Sequence, residues 1–189
     1  MKRDSNDKII VKLATWEYRR ASDVGIARYV ENWGRQDANH YKDKERQEDN
    51  RTASVAAAIV ELAVAKYRNK YWHGHVWHAS QHENYHKYAD IGCAIEARRN
   101  RVSEGCPIRE QQNDIEGLIV WCGHPEAPEF REVQILGWIP QLIGWKIGSV
   151  AKFDDSNKTR LVPLESLYHP KVTAADLKIT ETECDVTAR

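Results

Sequence analysis

Residues 52–71 read TASVAAAIVELAVAKYRNKY. Alanine, leucine, lysine and arginine are strong helix formers, and Thr52 or Ser54 can cap the start, so the stretch predicts a helix over Thr52–Tyr71. Its middle, VAAAIVELAVA, is apolar on every side, which is the pattern of a helix buried in the protein rather than laid on its surface. Inside that run sits one acid, Glu61, with Ala57, Ala58, Val64 and Ala65 at the neighbouring helical positions. No cation of the same helix can reach it. A buried, unpaired carboxylate costs several kcal/mol or takes up a proton, so Glu61 is expected either to find a partner through tertiary structure or to bind something.

A helix apolar all round needs a surface to pack on, and the chain beyond it is β-like. Tyr88–Ile91 predicts a short strand, Gly92-Cys93 a tight turn and Ala94–Val102 a second strand. Ser103–Glu116, polar and with Gly105 and Pro107, predicts a loop. Gly117–Cys122 (GLIVWC) is a continuous apolar run of strand length, expected at the centre of a sheet and buried on both faces. Gly123–Glu129 holds two prolines and predicts a turn. Phe130–Ile139 predicts another strand, Pro140–Gly148 an irregular stretch or short helical turn, Ser149–Phe153 a further strand, and Asp154–Lys158 a turn before LVPLESLYHP.

Upstream, Lys8–Leu13 is a short β-capable run. Thr15 then caps an amphipathic helix whose face is Trp16, Val24, Ala27, Val30 and Trp33, interrupted by Gly25. Gln36–Arg51 is nearly free of apolar residues, with charges of mixed sign, and reads as a solvated extension or loop. Trp72–His86 is a loop rich in rings, with His73, His75, His78, His82 and His86; a zinc site there is a competing reading. The tryptophans are expected in the core or on sheet faces rather than as platforms for bases. The elements add up to one α/β domain over 1–189, a mixed central sheet flanked by helices, with residues 1–14 and 179–189 expected to be loosely held.

Composition narrows the function classes. The 189 residues carry 28 lysines plus arginines against 28 acids, so no global field draws the chain to nucleic acid or membrane, and any such site must be a local patch. No apolar run approaches the ~18 residues of a membrane span, and no signal-like segment is seen, so a cytoplasmic protein is expected. The four cysteines are far apart, which favours reduced thiols.

The chemistry-bearing stretch is Ala89–Arg101, ADIGCAIEARRNR. A hairpin at Gly92 brings Asp90 close to Glu96, and strand alternation points Glu96 and Arg98 one way, Ile95 and Ala97 the other. With Glu61 these acids offer hard oxygen ligands suited to Mg2+, and Arg98 a cation to steady water or phosphoryl charge. Arg99, Arg101, Lys66, Arg68 and Lys70 are candidates for a phosphate-binding rim. There is no P-loop, no GxGxxG and no GxSxG.

With Glu61 in AAIVELAVAKY, Asp90, Glu96 and Arg98 in YADIGCAIEARRNR, and the strands GLIVWC and APEFREVQILGWI, the chain resembles the PD-(D/E)XK nuclease superfamily, in particular small phage-type nuclease-like proteins. The resemblance implies a restriction-endonuclease-like core. It also implies a Mg2+-dependent nuclease (Mn2+ substituting) that hydrolyses DNA phosphodiester bonds, working in the host cytoplasm if phage-encoded. Glu61, Asp90 and Glu96 would be its metal ligands, with Arg98 assisting. Oligomeric state stays open, a homodimer included. Ala89 stands where the motif has proline, and Arg98 where it has lysine. Arginine stays protonated and cannot act as a general base. The alternative is therefore a catalytically inactive protein of the nuclease fold that binds DNA or a host protein.

Overall fold

The computed structural model describes residues 8–33, 49–81, 87–101, 105–110, 117–151, 158–177 and 179. Among these, the protein is a mixed α/β structure of three layers. The middle layer is a four-stranded sheet in the order β1-β5-β4-β2, built from β1 (Ile9–Lys12), β2 (Ile95–Arg99), β4 (Ile119–Pro125) and β5 (Glu132–Pro140). β2 and β4 run parallel, while β4–β5 and β1–β5 are antiparallel. As its apolar run implies, β4 has a neighbour on both sides and is buried along nearly its whole length.

Helix α2 (Asn50–Arg68) lies on one face of this sheet, with α1 (Thr15–Trp33) packed against it. Ala58, Ile59, Ala63 and Val64 of α2 share a core with Ile95 and Ala97 of β2 and Ile119 and Trp121 of β4. The cap is Asp49, whose carboxylate accepts from Thr52 N at 2.8 Å, three residues before the expected Thr52. The helix closes at Asn69, whose left-handed backbone (φ 51°) turns its N–H back to the last carbonyls, ahead of the expected Tyr71.

The buried stripe of α1 differs from the expected one. Trp16 and Val30 are exposed, whereas Glu17, Ala21 and Gly25 are buried. At Gly25 the two helix backbones nearly touch, since a Cβ there would run into the Cα of Val55. Small residues, not large ones, mark the interface, because the helices approach too closely for side chains between them. Glu17 and Arg28 flank the stripe, and each pairs with α2: Lys66 Nζ donates to Glu17 at 2.6 Å, and Arg28 meets Glu61.

The other face of the sheet is covered mainly by a second sheet instead of a helix. β3 (Cys106–Arg109), β7 (Thr159–Val162) and β6 (Ser149–Val150) form it in the order β3-β7-β6, beside α3 (Gln141–Ile147). β3 falls in the stretch expected to be a loop; its two inward residues, Cys106 and Ile108, are fully buried and pack with Val120, Cys122 and Ile139. Two alternating apolar residues flanked by polar ones are too short a signal to raise a strand from sequence. Among the described residues, the parallel β2–β4 connection thus carries β3 rather than the usual crossover helix. Cys106 and Cys122 are buried thiols outside any disulfide, while Cys93 is disulfide-bonded, so the expectation of reduced thiols holds only in part. No helix of the described residues is long and apolar enough to cross a membrane. Most of the expected solvated stretch (residues 36–48), the turn at 154–157 and the tail at 180–189 lie outside the described residues.

Candidate active site

Glu61 is satisfied from outside its helix. Its carboxylate accepts from Arg28 Nη1 at 2.5 Å and Nη2 at 2.9 Å, and from the Trp72 indole N–H at 3.0 Å. The two-pronged guanidinium contact is the strong geometry for such a pair. Arg28 also donates from Nε to the carbonyl of His75 at 2.7 Å, which ties α1, α2 and the loop after α2 together. Burial works against the Arg28 charge, but Glu61 and, more distantly, Asp90 and Glu96 hold its pKa above the ordinary value. The sequence leaves two outcomes for Glu61, partner or ligand, and tertiary structure supplies the partner. The cation missing from α2 comes from α1.

Asp90 sits at the outer edge of the central sheet. Among the described residues only β4 flanks β2 as a strand, and on its outer side Ile91 makes an isolated antiparallel bridge to Ile95 while Trp72 bridges Ile91. Within this narrow strip His73 N donates to Asp90 O (3.1 Å), and the next outward amide of β2, Ala97 N, donates to Asp90 Oδ2 (3.2 Å). The expected strand Tyr88–Ile91 is therefore reduced to this bridge, and Ala94–Val102 to Ile95–Arg99. Burial, then the charges of Glu61 and Glu96, push the Asp90 carboxyl well above the ordinary carboxylate range, outweighing Arg98 and Arg28.

Glu96 and Arg98 project from the face opposite Ile95 and Ala97, as alternation requires. Their parallel partners in register are Val120 and Cys122, both in the core between the two sheets. Arg98 Nη1 donates to Glu96 Oε1 at 2.7 Å. The second carboxylate oxygen, Oε2, is buried and has no hydrogen-bond partner among the described residues. Burial opposes the Arg98 charge, yet Glu96 and Asp90 raise its pKa above the ordinary value, so the side chain is a fixed cation.

The three acids line one cleft of about 400 Å3, together with Arg28, Arg98, Arg99, Arg101 and Arg109. They reach it from different sides. Glu61 comes from the α2 face of the sheet, Glu96 from the opposite face, and Asp90 from the edge between them. Among the described residues, no three histidine, cysteine, aspartate or glutamate side chains form a group able to hold a metal ion. All three acids of the expected set line this cleft, Glu61 accepting three hydrogen bonds from Arg28 and Trp72, Asp90 one from Ala97 N, and Glu96 one from Arg98. Asp90 and Glu96 could hold a hard divalent cation, since burial and the neighbouring acids disfavour the Asp90 charge and one buried Glu96 oxygen lacks a donor among the described residues. Mg2+ commonly takes one or two carboxylates and keeps several waters.

Two groups of residues were placed differently by sequence. Of the expected rim, Lys66 is bound to Glu17 and Lys12 O, and Arg68 lies over the Trp121 ring at 5.0 Å, neither of them lining the cleft. Arg28 and Arg109 line it instead; the signal for Arg28 was the spacing Glu17-Ala21-Gly25-Arg28, a small-residue stripe with a charge at each end. In the histidine loop, His82 and His86 lie outside the described residues, while the rings of His73 and His75 stack at 4.9 Å. Trp121, Trp138 and Trp72 are buried in the core as expected, but Trp77 lines the cleft. No family model, curated protein or solved structure matches the chain.

Proposed function

We propose that the protein is a metal-dependent nuclease hydrolysing DNA phosphodiester bonds, on a restriction-endonuclease-like core of the PD-(D/E)XK type. The observation that carries this reading is that Asp90 and Glu96 both line a cleft rimmed by arginines, with one buried Glu96 oxygen lacking a donor among the described residues. Such a pair is unfavourable by itself and becomes favourable around a divalent cation. Asp90 and Glu96 would hold Mg2+, or Mn2+ in its place, which when bound neutralises phosphoryl charge and acidifies water. Arg98 keeps the Glu96 carboxylate in place through its ion pair and adds a permanent positive charge for a phosphate oxygen. Arg101 and Arg109 extend the positive rim along which a phosphate backbone would run. Glu61 has a positioning part: with Arg28 it fixes the helix and the loop that frame the cleft.

Incubation with plasmid and linear DNA in Mg2+ or Mn2+ tests this. Cleavage is expected from the native protein and lost in Asp90→Asn and Glu96→Gln; cleavage that persists in either sinks the assignment. A second reading, a catalytically inactive nuclease fold that binds DNA or a host protein, is favoured by one observation. The place of the motif's lysine is taken by an arginine tied to Glu96, which leaves no side chain there to accept a proton. It predicts DNA binding without strand scission under every divalent cation.

A further inference from the structure

One wall of the cleft is made of rings. Residues 71, 73, 75 and 77 lie along the segment after α2, and their rings follow one another. Tyr71 meets His73 edge-on at 5.1 Å, His73 stacks on His75 at 4.9 Å with planes 5° apart, and His75 stacks on Trp77 at 4.7 Å. Tyr88 lies tilted beside both of the last two rings, 5.4 Å from Trp77 and 5.8 Å from His75. This is not the packing of a core. Trp77 and His75 are half-buried, Tyr88 is 52% exposed, and all three line the cleft with Asp90, Glu96 and the arginines. The row is held from behind, by Arg28 Nε on the His75 carbonyl (2.7 Å) and by His73 Nε2 paired with Gly92 O (2.7 Å). His75 Nε2 is buried and has no hydrogen-bond partner among the described residues.

A run of stacked and tilted rings lining the same cleft as several arginines matches the two surfaces of an unstacked nucleotide, an aromatic base and a phosphate. Proteins that hold single strands combine these two features. The cleft's 400 Å3 is at the small end of ligand sites, which run from about 300 to 1,000 Å3, and suits one unpaired base with its phosphate better than a base pair. We propose that Trp77, backed by His75 and flanked by Tyr88, stacks an unpaired base, so that the cleft takes single-stranded DNA or a frayed strand end. This rests on the reading of the cleft as a nucleic-acid site, and does not depend on cleavage.

The test is a binding cycle without hydrolysis, in EDTA at fixed low salt, read by fluorescence anisotropy. The probes are an oligo-dT of about a dozen nucleotides, the same backbone lacking bases, and a duplex of the same length. The native protein should bind oligo-dT about 5- to 150-fold more tightly than the base-free strand, the factor that base–aromatic stacking is worth. It should also prefer oligo-dT to the duplex. Trp77→Ala should lose that factor on oligo-dT and change nothing on the base-free strand, while Trp77→Phe keeps most of it. Equal affinity of the native protein for the two strands overturns the proposal even if Trp77→Ala does not fold, as does a folded Trp77→Ala that binds oligo-dT normally. Base-dependent binding without scission in Mg2+ or Mn2+ leaves the stacking wall standing and removes the nuclease. Scission without base dependence does the reverse.

Discussion

Glu61 and the Asp90–Glu96 pair border the same cleft, yet their electrostatics are built in opposite ways. Glu61 receives two guanidinium N–H groups and an indole N–H, so its charge is matched where it is buried. Asp90 receives one backbone amide and faces two other acids, and Glu96 has one oxygen on Arg98 and the other on no described donor. A protein selected only for stability would finish both arrangements alike. The first holds the scaffold; the second keeps unfavourable electrostatics that the proposed cation would relieve, and sites of function are where such imbalance collects.

Removal of Glu61 and of Asp90 should therefore move stability in opposite directions. The largest effect is expected at Glu61→Ala, which leaves Arg28 buried and unmatched: about 3–5 kcal/mol of destabilisation by chemical denaturation. A loss under about 1 kcal/mol would put Glu61 in the same class as Asp90 and erase the contrast. Next comes the cation itself. Mg2+ or Mn2+ at roughly a hundred times its dissociation constant should stabilise the native protein by about 2.7 kcal/mol, reversed by EDTA and absent in Glu96→Gln. Equal stabilisation of Glu61→Gln and the native protein would sharpen the division further, since Glu61 is then no ligand.

Gly25→Ala tests the scaffold half from a distance. The added methyl forces α1 away from α2, at a cost of about 1–3 kcal/mol, and loosens the Arg28 contact with Glu61. The smallest effect is in pH. Folding raises the Asp90 pKa above its ordinary 3.8, so the native state binds the extra proton. Its contribution to stability is present below pH ~3.8 and is lost as pH rises through the folded pKa. Asp90→Asn should flatten that part of the stability profile and stand at or above the native protein at neutral pH. A profile unchanged by the substitution would show that the carboxyl is not held out of its ordinary range.

Much of the frame was legible in the sequence, because it depends on short-range periodicity. The all-apolar turns of α2, the run GLIVWC and the alternation of Glu96 and Arg98 against Ile95 and Ala97 each encode burial locally. Even the demand that Glu61 be matched was readable. What matched it was not, since Arg28 is 33 residues away and reaches it only through a helix crossing set by glycine and alanine. The weighting of large residues in α1 pointed to the wrong face for the same reason. Of the second sheet only β6, inside the expected strand Ser149–Phe153, was legible; β3 and β7 were missed because they are four residues each and gain their stability from one another and from the face they cover. That Glu61 is fully matched while Glu96 is matched at one oxygen and Asp90 by one amide belongs to three dimensions entirely.

The hydrogen bond from Ala97 N to Asp90 Oδ2 has a consequence for solubility. An edge strand with a bare amide is a template for another chain, and natural sheets block such edges with charges, bulges or covering loops. Here the plug is a single carboxyl oxygen. Asp90→Ala would uncover the amide along with removing the proposed ligand, so that variant mixes any loss of metal binding with self-association at β2. Asp90→Asn keeps an acceptor oxygen over the amide, so it separates the chemistry of the carboxylate from the guarding of the edge.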